Sequence, residues 1–187
     1  MIDYFALLDL ERRPAITEET VKEAYFRKCE SLHSDPARSG ELIAVNAAFQ
    51  TIVNPATRIQ HLLVLEFGDA GGGQIEPDLG ELFGTIVGVL QIADQELGSL
   101  SASSSPILRA LAYQRLDGLC EKLVGAEKEL LQRESGLLAE VVRLDKSWFE
   151  NTVESRHPLA QIALGLTFVR KWLSQVRERK IRLEELA

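Results

Sequence analysis

Few side chains in this sequence are of a type that does chemistry unaided: the histidines His33, His61 and His157, the cysteines Cys29 and Cys120, and an ordinary complement of acids and bases. Nucleophilic catalysis needs a base beside its serine or cysteine, and no histidine has such a neighbour in a patterned loop. The cysteines are far apart, with no Cys-x-x-Cys spacing and no paired histidines, so neither a zinc site nor a disulfide framework is expected. Gly71-Gly72-Gly73 is not followed by Gly-Lys-Ser/Thr and is therefore no phosphate-binding loop, and no carboxylate pair is framed by a pocket motif. The expectation is a non-enzyme without cofactor or metal. Among short motifs, His33-Ser34-Asp35-Pro36 holds an imidazole and a carboxylate two residues apart where a helix closes.

Charge argues about partners. The formal net charge is −7, with residues 1–67 and 68–136 negative and 137–187 slightly positive, so no region forms a phosphate-binding field and no nucleic acid is expected. Arg170, Lys171, Arg177, Arg179, Lys180 and Arg182 gather on a terminal helix, where cations complement the C-terminal dipole and solvate an outer face. The longest apolar run, Leu82 to Ala93, is too short for a bilayer, and Met1-Ile2-Asp3-Tyr4 lacks a basic signal region. A cytoplasmic protein without membrane contact is the expectation.

The elements that must position these residues follow from the breakers. Apolar residues recur at helical spacing and no segment alternates as a strand would, so the fold class is all-α. Gly68-Asp69-Ala70-Gly71-Gly72-Gly73 reads as a linker, either flexible or locked, which divides the chain into 1–67, a linker at 68–77, and 78–187. In the first part the pattern predicts helices over about 4–8, from Thr17 as N-cap to His33, and over about 40–65 with an interruption at Asn54-Pro55. Thr20 stands where a capping box would have Glu, so half of that motif is present. Val21, Ala24, Tyr25 and Leu32 face inward on the second helix, and Lys22, Arg27 and the stem of Lys28 face solvent or the rim.

The second part reads as a three-helix bundle. Its helices are expected over about 78–97, from Pro106 toward Glu150 with a break near Ser135-Gly136, and from Pro158 to about Glu185 after a break at His157-Pro158. Leu159, Ile162, Leu166, Val169, Leu173 and Val176 repeat three and four apart as a seam, with Phe168 and Trp172 beside it. Gly80, Gly84 and Gly88 line one small face that would admit another backbone closely, beside the apolar Leu82, Phe83, Ile86 and Leu90.

Several motifs together resemble a known family. Asp3-Tyr4-Phe5-Ala6-Leu7-Leu8, Ala24-Tyr25, His33-x-Asp35, Val45-Asn46-Ala47-Ala48-Phe49-Gln50-Thr51-Ile52 and Asn54-Pro55-x-x-Arg58-x-x-His61-Leu62-Leu63 look like a J-domain of the HscB type, the iron-sulfur-cluster cochaperones. The likeness is specific over residues 2–67 and architectural after the glycines. It implies an N-terminal J-like helical hairpin, a C-terminal three-helix client-binding domain, and two partners: a heat-shock-protein-70-class chaperone and an iron-sulfur cluster scaffold protein. Position by position, it implies that Lys22, Arg27, Lys28, His33 and Asp35 contact the chaperone and that Leu82, Phe83, Ile86 and Phe168 contact the client.

Three departures stand out. The family's tripeptide is His-Pro-Asp, and here Ser34 replaces the proline while Pro36 follows; the looser loop costs on the order of 1 kcal/mol more to order on binding. Glu23 and Glu30 dilute the cationic helix, and Val87 and Leu90 stand where client-facing acids are expected, leaving Asp94. Alternative readings therefore remain: His33 ends a helix and Asp35 caps the next loop, Leu82 and Ile86 are core, and the protein is a J-like structural or regulatory binding protein that does not activate a chaperone. Oligomeric state is not determined by these residues.

Overall fold

The computed structural model describes residues 1–33, 40–74, 77–102 and 106–185. Every regular element among them is an α-helix, so the protein is all-α: α1 (Tyr4–Leu7), α2 (Glu18–His33), α3 (Glu41–Val53), α4 (Pro55–Phe67), α5 (Pro77–Ala102), α6 (Pro106–Asp145) and α7 (Thr152–Glu184). Contacts group the chain into two compact units, Met1–Gln74 with Leu137–Leu166, and Ile75–Gly136 with Thr167–Ala187. Residues 137–166 thus join the N-terminal helices, across the division expected at 68–77.

Local chemistry sets the starts of α1, α2 and α4. The Asp3 carboxylate accepts the N–H groups of Phe5 and Ala6 at 3.0 and 3.2 Å and caps α1. Thr17 Oγ1 accepts the Thr20 N–H at 3.2 Å, and the two threonine hydroxyls pair at 2.8 Å, which is the half capping box expected there. Asn54 does more than interrupt a helix. It is extended, its side chain accepts the Ala56 N–H at 3.0 Å, and Pro55 fills the first helical position where no donor is needed. The expected 40–65 helix is consequently two, α3 and α4.

Two breaks expected in the second part are absent. α6 runs without interruption through Ser135 and Gly136, because buried Leu130 and Val141 lie eleven residues, about three turns, apart and hold its helical register on either side. α7 begins at Thr152, six residues before Pro158, which sits inside the helix. The carbonyl deprived of a partner belongs to exposed Glu154, where water is at hand, and buried Ser155 and Leu159 hold the turn.

One hydrophobic core fills the first unit. Phe5, Val21, Val45, Ile52, Ile59 and Leu62 from the N-terminal helices pack in the same cluster as Val141, Leu144, Trp148, Leu159 and Leu166. Arg58, 4% exposed, lies inside it with Nε donating to Pro14 O at 2.9 Å and a terminal nitrogen donating to Ile52 O at 3.0 Å. Asp145 accepts the Ala15 N–H at 3.0 Å and pairs with Arg13, so the 12–15 segment is tied to the end of α6.

The glycine run is locked rather than flexible. A Cβ on Gly73 would lie 3.0 Å from Leu164 Cδ2 and 3.3 Å from Ala160 O, and Gly71, with φ +71°, would meet Ala160 Cβ at 3.1 Å. Gly71 and Gly73 need glycine because their backbone lies directly on α7, whereas a Cβ on Gly72 would meet nothing within 4 Å.

In the second unit, Leu79, Leu82, Ile86, Leu90, Ala93 and Leu97 form the buried stripe of α5. They face the unit's core together with Leu119, Leu123 and Leu130 of α6 and Val169, Leu173 and Val176 of α7. Gly80, Gly84 and Gly88 have open space where a Cβ would stand, so among the described residues nothing makes the close approach expected of them.

Candidate functional site

The outer strip of α2 is one candidate surface. Lys22, Phe26 and Glu30 follow one another at i, i+4 spacing with Glu23 and Arg27 alongside, and all five are exposed. Lys22 Nζ lies 2.5 Å from Glu18 Oε1, a hydrogen bond and charge pair that holds its ammonium above the ordinary lysine value. Lys28, on the flank, reaches Asp9 Oδ2 at 3.0 Å and so ties α2 to the turn after α1. Two of the three expected cations are therefore engaged within the protein, while Arg27 projects from the strip. His33 is the last residue of α2; its side chain and Ser34, Asp35 and Pro36 lie outside the described residues.

Phe26 was not expected here. At 61% exposed it is a large apolar group in the middle of a charged strip, held at its edge by the Tyr25 ring with centroids 5.5 Å apart. Tyr25 is fixed in turn by its hydroxyl, which donates to Asn46 Oδ1 at 2.8 Å, and by Phe49 at 4.4 Å. The signal was present in the sequence, since Phe26 falls at i+4 from Lys22 on the polar face.

The other candidate is an aromatic patch in the second unit. Phe83 of α5 and Phe168 of α7 both lie against Trp172, with ring centroids 5.4 and 5.7 Å away. Trp172 is 5% exposed and forms the floor, Phe168 is half-buried, and Phe83 is 48% exposed. Leu82 is buried and Ile86 is wholly enclosed, so these two act from beneath, by holding α5 in place. Trp172 was seen only as a neighbour of the seam; its spacing of four from Phe168 is what places both rings on one face.

Farther along α5 and α7 the polar groups are paired with one another. Asp94 is held by Arg179, with Nε 3.1 Å from Oδ1, and Val87 stands half-buried between them and Phe83 along α5. Elsewhere in the unit Glu127 receives both Arg177 and Lys180, and the Arg177 hydrogen bond, against the opposing effect of burial, holds its carboxyl below the ordinary value. A cleft of about 390 Å³ lined by Asp78, Leu82, Glu129, Gln132, Arg133 and Gly136 lies on this unit, with no histidine or cysteine in its wall. Among the described residues no three His, Cys, Asp or Glu side chains are grouped to hold a metal ion, and no helix is long and apolar enough to cross a membrane. What the arrangement offers chemically is contact: an amphipathic strip and an aromatic patch, each suited to a protein partner.

No family model matches the chain, and no curated protein sequence matches it. Among solved structures the chain is similar to the chaperone HscB from Vibrio cholerae, with 17% identity and a TM-score of 0.49 over 95% of this chain and 96% of that one.

Proposed function

We propose that this protein is a non-catalytic cochaperone of the cytoplasm. It holds a client on the aromatic patch of its second unit and presents it, through α2 and the loop that follows, to a heat-shock-protein-70-class chaperone whose ATPase it stimulates. The observation that carries the reading is the outer strip of α2, where exposed Lys22, Phe26 and Arg27 lie on the helix that ends at His33, two residues before Asp35. An exposed aromatic ring among charged side chains is suited to a protein surface, because it combines desolvated area with charge steering. The client reading rests on Phe83 and Phe168 standing accessible over Trp172, and on the family resemblance of the Leu166-Thr167-Phe168-Val169 stretch, which favours an iron-sulfur cluster scaffold protein. Neither nucleic acid nor a membrane is a partner in this reading.

A second reading is favoured by particular residues. Lys22 and Lys28 are occupied by Glu18 and Asp9, and Ser34 stands where proline would stiffen the loop, as in a J-like structural or regulatory binding protein that engages partners without activating a chaperone. Steady-state ATPase measurements with a heat-shock-70-class chaperone separate the two. The cochaperone reading expects stimulation that Asp35→Ala removes; absence of stimulation by the wild type, or stimulation indifferent to Asp35→Ala, leaves the second reading.

A further inference from the structure

We propose that His61 is a proton-sensitive latch for α1: neutral His61 accepts the backbone N–H of Tyr4, and protonation in mildly acidic solution turns that acceptor into a donor and frees α1 from α4. The geometry is direct. Tyr4 N lies 3.1 Å from His61 Nε2, a contact between residues 57 apart in sequence. An amide can only donate, so Nε2 must carry the lone pair and the ring proton sits on Nδ1. The imidazole is 8% exposed and stacks with Tyr4 at 4.7 Å and Phe5 at 5.8 Å between ring centroids.

Among the described residues the start of α1 shows no second partner for that N–H. Its next donors are already used: Phe5 and Ala6 donate to the Asp3 side chain and Leu7 to the Asp3 carbonyl. Protonated His61 therefore sets N–H against N–H at a part-buried contact, and the short helix that carries buried Phe5 into the core loses one of its few ties.

The surrounding charges set the direction. Facing the ring are Asp3 and Tyr4 from the start of α1 and Arg12 from the segment after it, and Arg12 also pairs with Glu66 of α4 itself. Burial lowers the His61 value below 6.5, Asp3 opposes this, and Arg12 adds to it, with the net effect downward. Burial raises the Asp3 carboxyl, but Arg12 and the Ala6 and Phe5 amides overcome it and hold Asp3 below 3.8, so Asp3 stays ionised while His61 titrates. An unfolded histidine binds its proton more readily than this one. The stabilisation is thus complete above about pH 6.5 and is lost as pH falls through the lower folded value.

The test is an NMR titration of the full chain from about pH 8 to about pH 5. Expected is a His61 midpoint below 6.5, the Nδ1–H tautomer at the alkaline end, and a Tyr4 amide shift that follows the same curve. Tyr4 amide protection, corrected for intrinsic exchange, should fall about tenfold across it. In His61→Gln, whose carbonyl oxygen accepts at every pH, the Tyr4 response should vanish, whereas His157→Gln should keep it. A His61 midpoint at or above 6.5, a Tyr4 amide that does not follow it, or an undiminished response in His61→Gln overturns the proposal; the wild-type titration decides even if the variant does not fold.

Discussion

The indole N–H of Trp148 donates to the backbone carbonyl of Arg12 at 3.1 Å, joining residues 136 apart in sequence. This bond lies next to the Arg13–Asp145 pair, so the segment between α1 and α2 is held by the end of α6 and the turn after it. A side chain from the part of the chain expected to serve a client thus helps to hold the N-terminal helices.

It follows that residues 1–67 alone lack part of their core. A 1–67 fragment should lose most of its helical circular dichroism or melt well below the full chain, because Val141, Leu144, Trp148 and Leu159, which belong to the same buried cluster as Phe5 and Ile59, are missing from it. In the full chain Trp148→Ala should cost about 3–5 kcal/mol by denaturant unfolding. A fragment that melts cooperatively at the full-length midpoint would show that 1–67 folds without residues 137–166.

The glycine strap gives a contrast within three residues. Gly73→Ala places a methyl 3.0 Å from Leu164 and 3.3 Å from the Ala160 carbonyl, and should destabilise by about 1–3 kcal/mol. Gly72→Ala meets nothing within 4 Å and should be neutral or slightly stabilising. Equal unfolding midpoints for the two variants would show that the run is not pressed against α7.

The aromatic patch separates surface from floor. Phe83→Ala, at an exposed ring, should change stability by less than about 1 kcal/mol, whereas Trp172→Ala should cost about 3–5 kcal/mol. Phe83→Ala and Phe168→Ala should each weaken capture of an iron-sulfur scaffold protein in a pulldown. Binding equal to wild type in both would remove the patch from the client reading.

On α2, exposed Arg27 is the cation expected to act on a partner. Arg27→Ala should leave stability within about 0.5 kcal/mol and reduce chaperone ATPase stimulation about threefold or more. Phe26→Ala should do the same. Lys28→Ala is expected to differ by costing stability as well, since it releases Asp9 from α2. An unaltered ATPase response in Arg27→Ala and Phe26→Ala together would exclude this strip as the docking face.

Much of the fold is legible in local patterns because local physics decides it. The spacing Leu159, Ile162, Leu166, Val169, Leu173 and Val176 marks buried positions, and every one of them is buried. Asp3, Thr17 and Asn54 cap as their side chains permit, since an N-cap bond spans only two or three residues. Of the candidate surfaces, the exposure of Phe168 beside its seam follows from the same periodicity, whereas the place of Asp35 lies outside the described residues.

What the amino-acid order alone determined was therefore helix identity, the Thr17 cap and the seam of α7, all consequences of neighbours within a turn or two. Tertiary structure decided the rest. Pro158 and Ser135-Gly136 carry local signals to stop a helix, yet buried side chains on either side outweigh them. Gly71 and Gly73 have the composition of a free linker, and only the presence of α7 against their backbone makes them a fixed strap. His61 reads as one more residue of α4 until Tyr4, 57 residues earlier, presents an amide to its lone pair. In each case the deciding partner is distant in sequence, and no window along the chain contains it.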